Sequence, residues 1–505
     1  MGYRVQIDKF YRDTFILTLS NMVTGVIAFI FSIILSRELG AEGLGLYGLI
    51  MPVYGLLLCI TSDGLITALS KISAVYFNRR EIKNLNRTFS TIFIFVLLWA
   101  ASVALLVLLF NKGIATHIVR DVRAAEALMI ISPAVLFVPL SAVIKGFFYG
   151  LGKYKVTASV DIAEKLLRVI ILLSTISILS PNSVGSTVAI AYFALATGEL
   201  VSMIMLFTCY KIQKGRLSGS GGKSKSRIQL LFDVFVISAP LCINGVLSSV
   251  ISTVSTLVLP RRLISAGFTY SEALAMIGRF GGMALNISFL PFIIIGSMLT
   301  VLVPELSLNI SRKDFWSAED RIAQVLKLSC AIGISTAIVC LTLPETLGQL
   351  FYHRNDLGDM IRFSAPICLV SFVSSPTFGI LNALGKQNIL LKNSLIISLE
   401  SLVLIIILAG IPALNIFGYG LTIILTSATA LLINMREIKK ICEIKIGLQD
   451  VTTLFLTGIV ACLASGIAGR LLVEAAPVIK TAAIVFTSFG TVLGMSGLTL
   501  RFKDL

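Results

Sequence analysis

Long apolar stretches separated by short polar connections make up most of this chain. Fourteen such runs can be marked, and several contain proline or glycine. Because a helix needs about 20 predominantly apolar residues to cross the hydrocarbon of a bilayer, each run predicts a transmembrane helix. The chain lacks the short alternating segments of a membrane β-barrel. We therefore predict an all-α polytopic membrane protein with about 14 transmembrane helices, near residues 14–36, 44–69, 88–110, 124–147, 157–180, 184–210, 228–259, 272–304, 322–343, 360–384, 389–411, 416–435, 451–473 and 478–500.

The composition agrees with this pattern. Of 505 residues, 56% are hydrophobic and 13% are charged, and the mean hydropathy is +0.94. Soluble domains carry about 25% charged residues, so a water-soluble globule is excluded. The first run follows a polar start and ends without a small-residue cleavage motif, which predicts a retained helix and not a signal peptide.

The net charge of +16 reflects membrane topology and does not predict nucleic-acid binding. If the N-terminus is cytoplasmic, 28 of the 42 Lys and Arg residues fall in cytoplasmic segments and 10 fall on the opposite side. Positive residues favour the cytoplasmic side. We therefore predict a multi-pass protein of the cytoplasmic (inner) membrane, with an even number of helices and both termini inside.

A repeated segment predicts an internal duplication. Residues 133–153 and 366–386 share seven of 21 aligned positions, including a Gly-Lys pair at Gly152 and Gly385. Duplicated halves are typical of transporters whose binding site lies at the repeat interface. The flexible basic segment 211–227 falls where a linker between halves belongs. The predicted division is an N-terminal lobe with helices 1–6, a cytoplasmic linker, a C-terminal lobe with helices 7–12 and a final pair of helices, at residues 1–210, 211–227, 228–435 and 436–505.

Catalytic and metal-binding motifs are missing from the sequence. The eight cysteines are scattered singly, and His117 and His353 stand alone. There is no Walker A sequence, HExxH, GxSxG or DxD motif, so we predict neither an enzyme nor a cofactor or metal site. Energy for transport must then come from the membrane potential, from an H⁺ or Na⁺ gradient, or from the substrate gradient itself.

The fifth run carries the densest group of charges at membrane depth. Asp161 and Lys165, like Glu164 and Arg168, are spaced i,i+4 with the acid first, which favours ion pairs within one helix. Charged residues in a membrane are costly and mark functional sites by default. Two readings stay open: a polar face toward a hydrophilic cavity, or a self-neutralised stripe that locks the helix to its neighbours.

Isolated charges supply the other candidates. Arg279 lies among glycines in the eighth run and needs either a carboxylate from another helix or a bound anion, and phosphate suits its planar guanidinium. Arg37 and Arg262 follow the first and seventh runs at the predicted outer rim. Asp63 and Glu199 are lone intramembrane carboxylates that could bind a coupling cation or pair with an arginine.

Four segments carry a family resemblance: SRELGAEGLGLYGLIMPVYG, KGFFYGLGKYKVTASVDIAEKLLRV, PRRLISAGFTYSEALAMIGRFGGMA and LPFIIIGSMLTVLVPELS, at Ser36–Gly55, Lys145–Val169, Pro260–Ala284 and Leu290–Ser307. With the fourteen-run layout, they resemble the stage V sporulation protein B group. That group belongs to the polysaccharide-transporter branch of the MOP (multidrug/oligosaccharidyl-lipid/polysaccharide) flippase superfamily.

This resemblance implies two six-helix lobes around a V-shaped central cavity that works by alternating access. It also implies an undecaprenyl-pyrophosphate-linked saccharide as substrate, with spore cortex peptidoglycan as one setting. Lipid II flippases of the superfamily keep arginines in their first two helices, but Thr14–Ser36 and Leu44–Ser70 hold no basic residue. Arg279 is then the deep arginine on a helix that the resemblance places at the cavity.

We therefore predict a monomeric flippase for a lipid-linked cell-wall or polysaccharide precursor, whose partners are membrane lipids and cell-wall synthesis proteins. The first alternative is a cation-coupled MATE-type multidrug exporter, in which Asp63 or Glu199 binds the coupling ion. The second is a membrane enzyme, or a scaffold for a wall-synthesis complex. An enzyme of this kind needs paired carboxylates or a histidine at one membrane face.

Overall fold

The computed structural model describes residues 2–179, 181, 183–217, 225–311, 313–443, 448–472 and 476–499. Within these ranges the side chains of residues 2–17, 304, 308, 311, 448, 451 and 496–499 are left aside. The helices are α1 (Gly2–Ser62), α2 (Leu65–Asn78), α3 (Ile82–Gly113), α4 (Ala124–Ile131), α5 (Ala134–Gly150), α6 (Tyr154–Leu179), α7 (Val184–Arg216), α8 (Arg227–Ser265), α9 (Tyr270–Ile277), α10 (Leu285–Ser288), α11 (Phe292–Ser311), α12 (Phe315–Thr342), α13 (Pro344–Tyr352), α14 (Gly358–Ala383), α15 (Gln387–Leu408), α16 (Asn415–Lys439), α17 (Leu448–Leu471) and α18 (Pro477–Thr499). Two π-helical turns, Ile114–Val119 and Gly278–Ala284, complete the described elements, none of which is a strand.

The predicted all-α polytopic membrane fold is confirmed, but the count of 14 spans is not. Eleven of the described helices are long and apolar enough to cross a membrane, or twelve if the bent pair Tyr270–Ser288 and Phe292–Ser307 is one span. The first predicted run and most of the second lie in α1, which is two helical segments joined at a kink. Gly40 interrupts that helix with φ 68° and ψ −176°. Helix α6 is not among the eleven because its charged residues lower its apolar character.

The Gly-Lys pairs of the repeat have the same structural role. Gly152 and Gly385 have φ of 67° and 70°, a left-handed conformation that favours glycine. The following Lys153 and Lys386 donate their backbone N–H groups five residues back, to Phe148 O at 2.9 Å and to Leu381 O at 3.0 Å. This is the Schellman end of a helix, so the repeated segment terminates α5 and α14 in the same way. The duplication itself stays a prediction.

The chain forms two compact units whose boundaries fall inside α1 and α8. Unit 1 comprises Met1–Phe31 and Leu46–Leu257, and unit 2 comprises Ser32–Gly45 and Val258–Leu505. The predicted division of the chain into 1–210, 211–227, 228–435 and 436–505 stays a prediction, and residues 218–224 of that linker lie outside the described residues.

The core of unit 1 is built by α2, α3, α5 and α7. Its centre is aromatic: the rings of Phe89 and Tyr210 stack with centroids 3.8 Å apart, and Phe147 packs edge-on against both. Aliphatic residues of the same four helices and the start of α8 surround these rings. Aromatic pairs of this geometry add to the stabilisation from buried area, so unit 1 has a rigid centre beside the charged helix α6.

Unit 2 contains the final helix pair. Ala331 and Ile338 of α12 form a buried cluster with Leu454 and Ala461 of α17 and with Val492 of α18. The Ser488 hydroxyl of α18 donates to Ser335 O of α12 at 3.0 Å, and Lys327 of α12 pairs with Asp450 of α17 at 2.9 Å. The pair α17–α18 is therefore anchored on α12 by both apolar and polar contacts.

Candidate functional site

The charged residues of α6 form one neutral network with α5 and α7. The predicted pair between Glu164 and Arg168 is present. The predicted pair between Asp161 and Lys165 is wrong: Asp161 binds Lys145 of α5 at 2.7 Å, and Lys165 binds Glu164 at 2.9 Å. Packing of α6 brings a cation from another helix closer to Asp161 than its own i+4 neighbour.

Glu199 of α7 joins this network. Its Oε1 accepts a hydrogen bond from Arg168 Nη2 at 2.9 Å, and Glu164 and Arg168 are 4% and 9% exposed. Three carboxylates and three cations thus neutralise one another. The arrangement matches the self-neutralised stripe that locks a helix to its neighbours. Glu199 is already paired, which removes it from the free carboxylates that could hold a coupling cation.

Arg279 and Arg37 both have acceptors within unit 2. Arg279 Nη1 lies 3.0 Å from Asp356 Oδ2, and Arg354 binds the same carboxylate at 2.7 and 2.8 Å. Hydrogen bonds from Arg354 above all, and then from Arg279, lower the pKa of Asp356 to about 2. Arg37 donates to Phe351 O at 2.7 and 2.9 Å, at the carboxyl end of α13, where carbonyl groups lack helical partners.

Arg262 differs from these arginines. Its Nε is buried without a hydrogen-bond partner, and in the described ranges no acceptor is found for the rest of its guanidinium. The guanidinium lies against Gly410, just after α15: a Cβ at that glycine would be 2.3 Å from Nη2 and 2.9 Å from Cζ. The partial negative charge at the carboxyl end of α15 stabilises the cation there without using its donors.

Asp63 is a carboxylate that, like Arg262, has no ion-pair partner among the described residues. It lies between α1 and α2, and its Oδ1 accepts a hydrogen bond from the backbone N–H of Gly64 at 2.9 Å. No Lys, Arg or His side chain of the described part of unit 1 pairs with it. The predicted candidates therefore divide into a paired set and two unpaired charges, Arg262 and Asp63.

The structure adds three charged residues that are not among the predicted site residues. Lys145 of α5 reaches Asp161 of α6, and no local pattern in the sequence links the two. Asp356 lies 77 positions from Arg279, and no local pattern links them. Glu400 of α15 accepts from the Thr429 hydroxyl of α16 at 2.8 Å, while its Oε2 is buried without a partner. Only Glu400 carried a signal, as an acid inside an apolar run.

Metal binding finds no support in the described ranges, which contain no group of three or more His, Cys, Asp or Glu residues that could hold an ion. The predictions that no metal or cofactor is bound stay predictions.

Comparison with solved structures defines the class of fold. The chain superimposes on the lipid II flippase MurJ in an inward closed conformation with a TM-score of 0.68, at 15% identity over 97% of this chain and 99% of that one. An inward-facing multidrug resistance MATE family transporter of the MOP superfamily gives a TM-score of 0.66, at 14% identity over 83% of this chain and 95% of that one. The chain thus shares the fold of these two structures.

The family follows from the sequence itself. Residues 10–310 match the model of the polysaccharide biosynthesis protein family, which is more than half of the chain, so this protein belongs to that family. A relative is stage V sporulation protein B of Bacillus subtilis (strain 168), 26% identical over 449 residues that cover 88% of this chain and 86% of the relative. The predicted resemblance is confirmed.

Proposed function

We propose that this protein is a flippase that moves an undecaprenyl-pyrophosphate-linked saccharide across the cytoplasmic membrane by alternating access. The observation that carries the proposal is Arg262, an arginine whose donors have no acceptor in the described residues. A guanidinium binds phosphate oxygens bidentately, and a lipid-linked pyrophosphate supplies them.

The choice of Arg262 replaces the sequence-based preference for Arg279. Arg279 already shares a carboxylate with a second arginine, so a phosphate there competes with Asp356 for the guanidinium. Among the described residues Arg262 has no such competitor, and its guanidinium packs against Gly410. Phosphate binding there costs little reorganisation, which favours affinity.

The lipid-linked class of substrate is supported by family and fold. The chain belongs to the polysaccharide biosynthesis protein family, and one of the solved structures with its fold is a lipid II flippase. The relative named for sporulation makes a peptidoglycan precursor of the spore cortex the first saccharide to test. The membrane lipids and the lipid-linked saccharide are then the partners, and the protein works as a monomer with both termini in the cytoplasm.

The test is a liposome assay with the purified full chain. Fluorescently labelled undecaprenyl-pyrophosphate saccharides are placed in the membrane, and their exposure at the outer leaflet is followed by a membrane-impermeant quencher. Arg262→Gln is expected to slow exposure about 10-fold or more, since a hydrogen bond to a charged group contributes about 1.5–3 kcal/mol. Gly410→Ala, which displaces the guanidinium and keeps its charge, is expected to slow exposure as well.

Arg261→Gln is the matched control, because it removes the same charge from the adjacent position. Equal rates for Arg262→Gln and Arg261→Gln would contradict phosphate recognition at Arg262 while leaving the flippase intact. A parent protein that exposes none of the pyrophosphate lipids would contradict the flippase itself.

The second candidate function is a cation-coupled MATE-type multidrug exporter. It is favoured by one observation, the unpaired carboxylate of Asp63. Extrusion of an amphiphilic cationic dye from proteoliposomes, driven by an imposed H⁺ or Na⁺ gradient and lost in Asp63→Asn, would select this function over the flippase.

A further inference from the structure

The junction between α1 and α2 is a helix break at membrane depth. Helix α1 ends at Ser62 and α2 begins at Leu65, with Gly64 in the left-handed region at φ 76°. The N–H of Gly64 donates to Asp63 Oδ1 at 2.9 Å, whereas an unbroken helix would direct it to Ile60 O. Ile60 O instead accepts from the indole Nε1 of Trp99 on α3, at 3.2 Å.

The second oxygen of Asp63 occupies a space that one glycine leaves open. A Cβ at Gly245 of α8 would lie 1.6 Å from Asp63 Oδ2 and 2.8 Å from its Cγ. Any other residue at position 245 would therefore displace the carboxylate. Asp63 is half-buried, and its carboxylate packs there against the backbone of α8.

Among the side chains that the structure describes, the other groups beside Asp63 are neutral. The thiols of Cys59 on α1 and Cys242 on α8 are the titratable groups beside it, and Cys242 Sγ donates to Cys59 O at 3.3 Å. From α3 the Trp99 indole reaches Ile60 O, three residues before Asp63. Charged groups of the neighbouring helices lie further along: Asp233 of α8 is bonded to Lys225, and Lys71 of α2 is two turns beyond the break.

We propose that Asp63 is a proton-binding site and that its protonation controls the α1–α2 break. A carboxylate at membrane depth that has no cation beside it among the described residues needs another counter-charge. A sodium ion requires several oxygen ligands, but the nearby carbonyls of Cys59 and Ile60 already accept from a thiol and an indole. A proton requires only the carboxylate itself.

The consequence is mechanical. The ionised carboxylate holds the Gly64 N–H in a charge-assisted hydrogen bond and so keeps the helix broken. Protonation weakens that bond, returns the N–H to Ile60 O and releases the Trp99 indole. Proton binding at Asp63 does not depend on which substrate is transported, so it can be tested separately from the proposed flippase.

The test uses Trp99 as an internal reporter. The chain has two tryptophans, so Trp316→Phe leaves Trp99 alone. We expect the fluorescence of this full-length variant in lipid nanodiscs to change in one step between pH 4 and pH 9, and the step to disappear in Asp63→Asn. Asp63→Glu and Gly245→Ala, which move the carboxylate without removing it, are expected to shift the midpoint of the step.

Asp233→Asn is the matched control, because it neutralises a paired carboxylate of α8 in the same unit, and its step is expected to stay. A step that persists in Asp63→Asn, or a parent without a step, would overturn the proposal. Exchange of choline for sodium at constant pH is expected to leave the fluorescence unchanged. A sodium-dependent change that is lost in Asp63→Asn would replace the proton by a sodium ion and overturn the assignment.

Discussion

The Arg168 guanidinium joins two carboxylates from different helices, Glu164 on its own helix and Glu199 on α7 at 2.9 Å. Because these groups lie in the interior of unit 1, the loss of the arginine leaves two acids without their common partner. Arg168→Met is therefore expected to lower the free energy of unfolding by about 3–5 kcal/mol. Thermal unfolding in detergent measures the loss.

Lys165→Met is the control for that change, since Glu164 keeps Arg168 when the half-buried lysine is removed. Its expected cost is at most about 1 kcal/mol. Adding Glu199→Gln to Arg168→Met should recover part of the loss, and equal costs for both single variants would contradict the central position of Arg168.

The π-helical turn Gly278–Ala284 packs at Gly278 against the backbone of residues 41–45. A Cβ at Gly278 would lie 1.9 Å from Ala41 O, and backbone atoms cannot move aside as a flexible side chain can. Gly278→Ala is expected to lower stability by about 1–3 kcal/mol or more, as other overpacking changes do. Gly281 is in the same turn with open space around it, so Gly281→Ala should be neutral or slightly stabilising. Similar melting temperatures for the two variants would contradict this packing.

Because of Asp356, we expect the stability of unit 2 to decrease at acid pH. Its pKa is lowered from 3.8 to about 2, so its ionised form favours the folded state. This contribution is complete above pH 5 and is lost as the pH falls through 3.8 toward 2. Because Asp356 is 39% exposed and screened by solvent, we expect it to be at most about 1 kcal/mol.

Thermal unfolding of the parent and of Asp356→Asn across this pH range tests the sign. The two proteins should differ at pH 6 and converge near pH 2. Asp359→Asn, an exposed neighbour, is the control, and a difference that is unchanged at pH 2 would contradict the assignment.

A buried amide chain links three helices of unit 2. Asn393 Nδ2 donates to Asn434 Oδ1, and Asn434 Nδ2 donates to the Thr377 hydroxyl, each at 2.9 Å. Asn434→Leu leaves Asn393 with a buried unsatisfied donor, which costs about 1–3 kcal/mol. The double variant Asn393→Leu with Asn434→Leu removes that donor too. It should be closer to the parent in thermal stability than the single variant, and a larger loss in the double variant would contradict this account.

Local chemistry in the sequence was enough to predict much of the architecture. The long apolar runs exclude a soluble globule and predict an all-α membrane fold, since only helices with satisfied backbone groups persist in hydrocarbon. The Gly-Lys repeat marks two helix ends that share a left-handed glycine, at Gly152 and Gly385. The number of spans was less predictable, because helices bend or break within the apolar runs, as at Gly40, and the charges of α6 weaken its apolar character.

The sequence by itself determined which charges lie at membrane depth, and the i,i+4 pair of Glu164 and Arg168, because spacing within one helix fixes such neighbours. The tertiary structure alone decided which of these charges form ion pairs. Asp161 pairs with Lys145 of α5, and Arg279 pairs with Asp356, which is distant in sequence. Arg262 and Asp63 stay unpaired in the described ranges, each against a glycine of another segment. The physical reason is that ion pairing acts over a few ångströms in space, and helix packing, not sequence spacing, sets those distances.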